Sequence, residues 1–217
     1  MGMTDTDTIE ALDLAALLCS RVCHDLISPV GAIVNGLEVL EDEDDAEMQA
    51  HAMALIRQSA TQASAKLQFA RLAFGAAGSA GAEIDLGDAR RVADGLFAGE
   101  KAALVWTLPA MTMAKNQVKL LLNMLLIAHA AIPRGGEIVA NMEGEAAAPT
   151  FRIIARGEAA RLPEEAVRYL GGNPSGGAID ARGVQPFFTG LIARELGMAV
   201  RAVMTGDDFE ISAALAT

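Results

Sequence analysis

From Ile9 to Glu41 the apolar residues Leu12, Ala16, Cys19, Cys23, Leu26, Val30, Ile33, Leu37 and Leu40 follow one another at alternating spacings of four and three, without a slip. That rhythm is the seam of a long, coiled-coil-like helix. After the acidic stretch Glu41 to Asp45 a second series, Met53, Ile56, Ala60, Ala63, Leu67, Ala70 and Phe74, keeps the same spacing. Two long helices joined by a short polar turn predict an antiparallel hairpin, its first helix about 50 Å long at 1.5 Å per residue. Ile27 and Val34 widen the first stripe beyond what one partner helix covers. We therefore expect two copies to associate as a homodimer with a four-helix bundle at its centre. The alternative is packing against the rest of the same chain.

Gly75 to Gly81 is a run of small residues without periodicity, which reads as a linker. The expected organisation is a hairpin domain over 1–74, a linker over 75–82 and a second domain over 83–217. In that second part the patterns predict helices near Asp88–Phe97, Lys115–Ile132, Pro163–Leu170 and Val184–Leu196. Extended segments are expected near Ala103–Leu108, Glu137–Glu143, Thr150–Ala155, Met198–Met204 and Phe209–Leu215, with a loop over Gly171–Gly183 and a turn at Gly206-Asp207-Asp208. Helices mixed with mostly hairpin-linked strands indicate an α+β fold whose second part is an α/β sandwich.

The 52% hydrophobic content supports a buried core and excludes disorder for most of the chain. With 28 acidic against 17 basic residues the net charge is −11, which excludes a dominant attraction to nucleic acid or to anionic membranes. The apolar run Leu120–Ile132 is short of the roughly 20 residues that span a bilayer, and the first eight residues lack the apolar core of a signal peptide. A cytoplasmic location is the expectation. Cys19 and Cys23, four apart, suit neither a disulfide nor a zinc site and read as small core residues. The start Met1–Thr6 formally satisfies a myristoylation pattern and is read as coincidence.

Chemistry concentrates on the first helix. His24 lies one residue beyond the seam position Cys23, on the flank of the stripe and within reach of water and a partner. Pro29 follows five residues later, inside a pattern that continues on both sides. A proline there removes a backbone donor and should bend the helix, at about 3 kcal/mol, so Arg21, His24, Asp25, Ser28 and Pro29 together point to function. Imidazole titrates near neutral pH and offers a nitrogen able to attack phosphorus. His51, among polar neighbours, reads as a solvated surface residue, and His129 as a packed or hydrogen-bonded histidine of the core.

The string His24-Asp25-Leu26-Ile27-Ser28-Pro29 resembles the phosphoacceptor box of sensor histidine kinases. Extended through Arg21-Val22-Cys23 and on to Val30, Ala32-Ile33-Val34, Gly36-Leu37 and Leu40-Glu41-Asp42, it is similar to ChpT-type histidine phosphotransferases over essentially the whole chain after Leu12. The resemblance implies a homodimer that relays phosphoryl groups between response-regulator receiver domains, with His24 as phosphoacceptor. Its donor would be the receiver of a hybrid kinase of CckA type, and its acceptors regulators of CtrA and CpdR type in a cell-cycle pathway. Asp25 and Ser28 would assist His24, and Arg21, Ile27, Pro29, Val30 and Val34 would meet the partner. Ile27, Val30 and Val34 serve equally well as dimer contacts. The chain would need no cofactor of its own, Mg²⁺ being supplied at the receiver.

The second domain resembles the ATP-binding domain of histidine kinases in layout and departs from it at the residues that hold nucleotide. Asn123, Ala128, Pro133, Gly135 and Gly136 match the family's N-x-x-x-N-A box and its turn, yet the second Asn is Ile127, which offers Mg²⁺ no oxygen. The Asp-x-Gly-x-Gly box aligns with Ala155-Arg156-Gly157-Glu158-Ala159, without its carboxylate. The later glycine box reads Gly183-Val184-Gln185-Pro186-Phe187-Phe188, whose aromatics obstruct the approach of phosphates to backbone amides. We expect no ATP binding. An ATP-dependent kinase with an unusual nucleotide site, and a non-catalytic dimeric adaptor, are the competing readings.

Overall fold

The computed structural model describes residues 9–42, 45–75, 82–171 and 179–216. The pattern Met1–Thr6, residues 76–81 of the expected linker and most of the expected loop Gly171–Gly183 lie outside them. The hairpin is helix α1 (Ala11–Asp42) against α2 (Ala46–Ala73). Asp45 starts α2 by accepting from the backbone amides of Glu47 and Met48, which satisfies two donors that a helix N-terminus leaves without intrahelical partners. Pro29 sits inside α1, and the helix runs through it.

The face that α1 turns to α2 is not the whole seam read from the sequence. Pro29 and Gly36 are buried, and Val22, Leu26, Ile33 and Leu40 are half-buried. Leu12, Ala16, Cys19, Cys23, Val30 and Leu37 of the expected seam are exposed. On α2 the buried positions are Ala52, Ser59, Ala63, Phe69 and Ala73, while Met53, Ala60 and Leu67 face outward. The physical reason is close helix packing through small residues. A Cβ added at Gly36 would stand 2.7 Å from Cγ1 of Ile56 and 3.3 Å from the Ala52 carbonyl oxygen. Gly36 meets Ala52 and Ile56, Ser59 and Ala63 are buried further along α2, and the bulkier Met53 and Leu67 face outward. Cys19 and Cys23 are therefore exposed rather than core residues of this chain.

The second part begins with β1 (Glu83–Asp85) and α3 (Leu86–Phe97), followed by β2 (Ala102–Trp106), β3 (Thr112–Ala114), α4 (Lys115–Ala131), β4 (Gly136–Glu143) and β5 (Thr150–Arg156). It ends with α5 (Glu164–Tyr169), α6 (Val184–Glu195), β6 (Met198–Thr205) and β7 (Asp208–Leu215). Five strands form one sheet in the order β2-β4-β5-β7-β6, and β1 and β3 form a small antiparallel pair. Only β2 and β4 run parallel within the large sheet. Their connection is a crossover containing β3 and α4, as a parallel pair requires. Strand residues alternate: Ile138, Ala140, Phe151, Ile153, Ala155, Phe209, Ile211 and Ala213 are buried. The opposite face is solvated and carries cross-strand ion pairs, Arg152 to Glu210 at 2.7 Å and Arg156 to Asp208 at 2.9 Å. Helix α4 is apolar nearly all round and buried on almost every side, the mark of a central core helix. The result is a helical hairpin followed by an α/β sandwich. The β1–β3 pair was not anticipated.

Two apolar joints tie the hairpin to the sandwich. Phe69, Leu72, Ala73 and Phe74 at the end of α2 belong to the main core with α3 and α4. Ile9, Leu14, Leu17 and Leu18 at the start of α1 pack on Tyr169, Ile179, Val184 and Phe187. Among the described residues α1 alone is long and apolar enough, by length and composition, to cross a membrane. It also carries Arg21, His24 and Asp25 midway, groups that are costly inside a bilayer.

Candidate functional site

The centre of α1 presents His24 to solvent with its side chain 82% exposed. The preceding turn places Arg21 four residues before Asp25 on one helix face, and Arg21 Nε donates to Asp25 Oδ2 at 3.0 Å. The other carboxylate oxygen, Oδ1, stands 3.6 Å from His24 Nδ1. That is an electrostatic contact just beyond hydrogen-bond distance. Ser28, one turn after His24, is exposed. Ile27 is 69% exposed, and Val30 and Val34 are each 48% exposed, so the imidazole stands beside an open apolar strip. Two of the residues expected to meet a partner are less open. Pro29 is buried within α1. Arg21 is half-buried and its Nε donates to Asp25.

Behind this group lies a cavity of about 160 Å³ between the hairpin and the sandwich. Arg21, Asp25 and Lys66 line it from α1 and α2, and Glu100 and His129 from the sandwich. His129 Nε2 is 3.6 Å from Glu100 Oε2, and its ring meets Phe97 edge-on with centroids 5.5 Å apart. Burial holds the His129 imidazole below its ordinary pKa; Glu100 opposes that shift and Lys66 adds to it. Sequence reasoning found His24, Arg21 and Asp25 and missed Lys66 and Glu100, which reach the site only through the tertiary fold. His51, 74% exposed beside Glu47, is the surface residue expected.

In the sandwich, Asn123 is fully buried and committed to the fold. Its Nδ2 donates to the carbonyls of Ala73 and Lys119, both at 2.9 Å. Gln185 Nε2 donates to Asn123 Oδ1 at 3.1 Å and to its backbone carbonyl at 2.9 Å, and also to Thr189 Oγ1. Ile127 and Ala155 are buried apolar residues. At the position of the glycine box a Cβ on Gly183 would stand 2.4 Å from the Tyr169 ring, so this glycine makes room for an aromatic side chain. Phe188 packs on Phe74 with ring centroids 6.0 Å apart. Gly135 and Gly136 hold positive φ between α4 and β4, where a Cβ would collide with the carbonyls of Lys101 and Arg156. The tight turn alone requires them.

A long helical hairpin thus carries an exposed histidine midway and is joined to an α/β sandwich. The family model for the histidine phosphotransferase C-terminal domain matches residues 86–208. Protein phosphotransferase ChpT of Brucella abortus (strain 2308) is 52% identical over 210 residues, covering 95% of this chain and 97% of that protein. A solved bacterial phosphotransferase, determined at 1.7 Å, superposes with a TM-score of 0.87 at 49% identity, over 95% of this chain and 98% of its own. The chain belongs to the histidine phosphotransferase family.

Proposed function

We propose that this phosphotransferase relays a phosphoryl group between receiver domains through a phosphohistidine at His24. The observation that carries the reading is the imidazole itself, outward-facing, backed by a carboxylate and bordered by an open apolar strip. Nε2 attacks the phosphorus of a receiver's aspartyl phosphate as the P–O bond to that aspartate breaks. The proton on Nδ1 stays toward Asp25, whose negative charge stabilises the cationic ring of the phosphorylated state. Transfer to a second receiver is the same step in reverse. Mg²⁺ at the receiver supplies charge stabilisation for the phosphoryl group in flight, so no metal or cofactor of this chain enters. Ser28 hydrogen-bonds in the same neighbourhood when a partner docks, and Ile27, Val30 and Val34 give the receiver's helix an apolar surface.

The same reading assigns a homodimer. Leu12, Leu37, Met53 and Leu67 are 39 to 81% exposed on one hairpin, apolar side chains that a second hairpin would cover. Donor and acceptors are a hybrid-kinase receiver of CckA type and regulators of CtrA and CpdR type, in a cytoplasmic cell-cycle relay. Nucleotide has no part in it. The support is that the amide of Asn123 is satisfied by protein groups and that Ile127, Ala155 and Gly183 serve packing. Radiolabelled phosphoryl transfer from a phosphorylated receiver, with a fluorescent Mg–ATP analogue titrated in parallel, tests both halves. Label on the wild type, none on His24→Gln and no analogue binding are expected. Label persisting on His24→Gln would refute the site, and tight Mg-dependent binding would favour an ATP-dependent kinase.

A further inference from the structure

We infer that Arg21 is a positioning residue for phosphotransfer, acting on His24 through Asp25 rather than touching a partner. The inference rests on His24 being the phosphoacceptor. The guanidinium grips Asp25 Oδ2 at 3.0 Å, and the remaining oxygen, Oδ1, is the one facing His24 Nδ1 at 3.6 Å. An aspartate on an exposed helix flank otherwise samples several rotamers. Holding one oxygen fixes where the other points. Arg21 is itself confined, because it lies in the wall of the junction cavity, with Lys66 of α2 and Glu100 and His129 of the sandwich across from it.

One consequence follows for the imidazole. A carboxylate aimed at Nδ1 favours the tautomer with the proton there, leaving the Nε2 lone pair outward for attack. Loss of Arg21 therefore has two signatures: a smaller fraction of the Nδ1–H tautomer and a slower attack by Nε2. Lys66, Glu100 and His129 are the other charged or titratable groups facing this cavity, and a change confined to Arg21 leaves them in place.

The test uses the full chain and potassium phosphoramidate as phosphodonor, so that no docked protein is involved. Nε2 attacks phosphorus, the P–N bond of the zwitterionic reagent breaks, and neutral ammonia leaves with its three protons. The ring keeps its Nδ1 proton. Phosphorylation is followed by ³¹P NMR and localised by mass spectrometry. His51, exposed on the same hairpin beside Glu47 at 3.8 Å, serves as the internal reference. For Arg21→Gln we expect the His24 rate relative to His51 to fall about tenfold and the Nδ1–H signal in ¹⁵N spectra to weaken. Arg21→Lys keeps the charge without the planar fork, and should recover only part of the rate and of the Nδ1–H signal. Should the Gln variant lose helicity, the tautomer of the Lys variant decides. An unchanged His24-to-His51 ratio with unchanged tautomer would overturn the inference. Phosphorylation that bypasses His24 in the wild type would instead sink the underlying reading of the site.

Discussion

Replacing Asn123 tests whether this helix position now serves to fasten the hairpin. Its side chain is fully buried, donates to the carbonyls of Ala73 and Lys119 and accepts from Gln185. Ala73 is the last residue of α2, where helix carbonyls have no intrahelical donor. In Asn123→Ala the Lys119 carbonyl keeps its helical partner, and Gln185 keeps Thr189 and the backbone carbonyl of residue 123. The loss therefore reduces to one buried carbonyl without its side-chain donor, at about 1–3 kcal/mol, plus a small cavity, for about 2–4 kcal/mol together. At about 2–4 °C per kcal/mol for a chain of this size, Tm should fall by roughly 5–15 °C.

Asn123→Asp is the sharper variant because it places carboxyl oxygens against two carbonyl oxygens. Only the protonated acid can donate there, so its folded pKa must lie above the unfolded value of about 3.9. The penalty of ionisation is absent below that pH and grows by up to about 1.4 kcal/mol per unit as pH rises above it, until the folded carboxyl itself ionises. Thermal melts from pH 4 to 8, with hydrogen exchange across residues 69–75, measure both effects. An Asn123→Ala variant melting within about 2 °C of wild type, which corresponds to about 1 kcal/mol or less, would refute the fastening role. So would an Asn123→Asp variant no worse than Asn123→Ala at pH 7.

Two glycines of α1 should respond oppositely to alanine. Gly31 has nothing within 4 Å of an added Cβ, so Gly31→Ala should stabilise by about 0.5–1 kcal/mol from helix propensity alone; a lower Tm instead would identify this face as filled by a second copy. Gly36→Ala pushes Ile56 and the Ala52 carbonyl and should cost about 1–3 kcal/mol, read by the same melts. His129 should make stability fall with acid. Burial lowers its folded pKa, so its contribution is complete above the unfolded value of about 6.5 and is lost as pH drops below it; His129→Gln should flatten Tm between pH 7.5 and 5.5.

The hairpin and most elements of the sandwich were legible because long periodic runs and glycine-marked turns report local structure. The face of α1 that meets α2 was not. Of the small buried residues Gly36, Ala52, Ser59 and Ala63, only Ala63 lies on the four-three rhythm; close approach selects small residues, and Gly36 and Ser59 carry no hydrophobic signal that would reveal a contact. The same rhythm placed Cys19 and Cys23 in the core. At the site, Arg21, His24 and Asp25 were legible because they lie within one turn of each other. Lys66, Glu100 and His129 converge on them from distant parts of the chain, and no spacing encodes that. Gln185 drew notice only as part of an obstructing segment, while its amide is in fact the partner of Asn123.

The small residues between the helices bear on why the sandwich matters to the hairpin. Contacts built on glycine, alanine and serine permit close backbones but remove little apolar area from water, at roughly 25 cal/mol per Å². The larger groups that anchor the hairpin lie at its two joints: Phe69, Leu72 and Phe74 against the main core, and Leu14, Leu17 and Leu18 against Tyr169 and Phe187. His24 sits between these joints along α1, and the wall behind Asp25 is completed by Glu100 and His129. The sandwich therefore fixes both the course of the helix that carries His24 and the polar surroundings of its neighbouring carboxylate. Neither task needs a nucleotide, and both keep the sandwich under structural constraint.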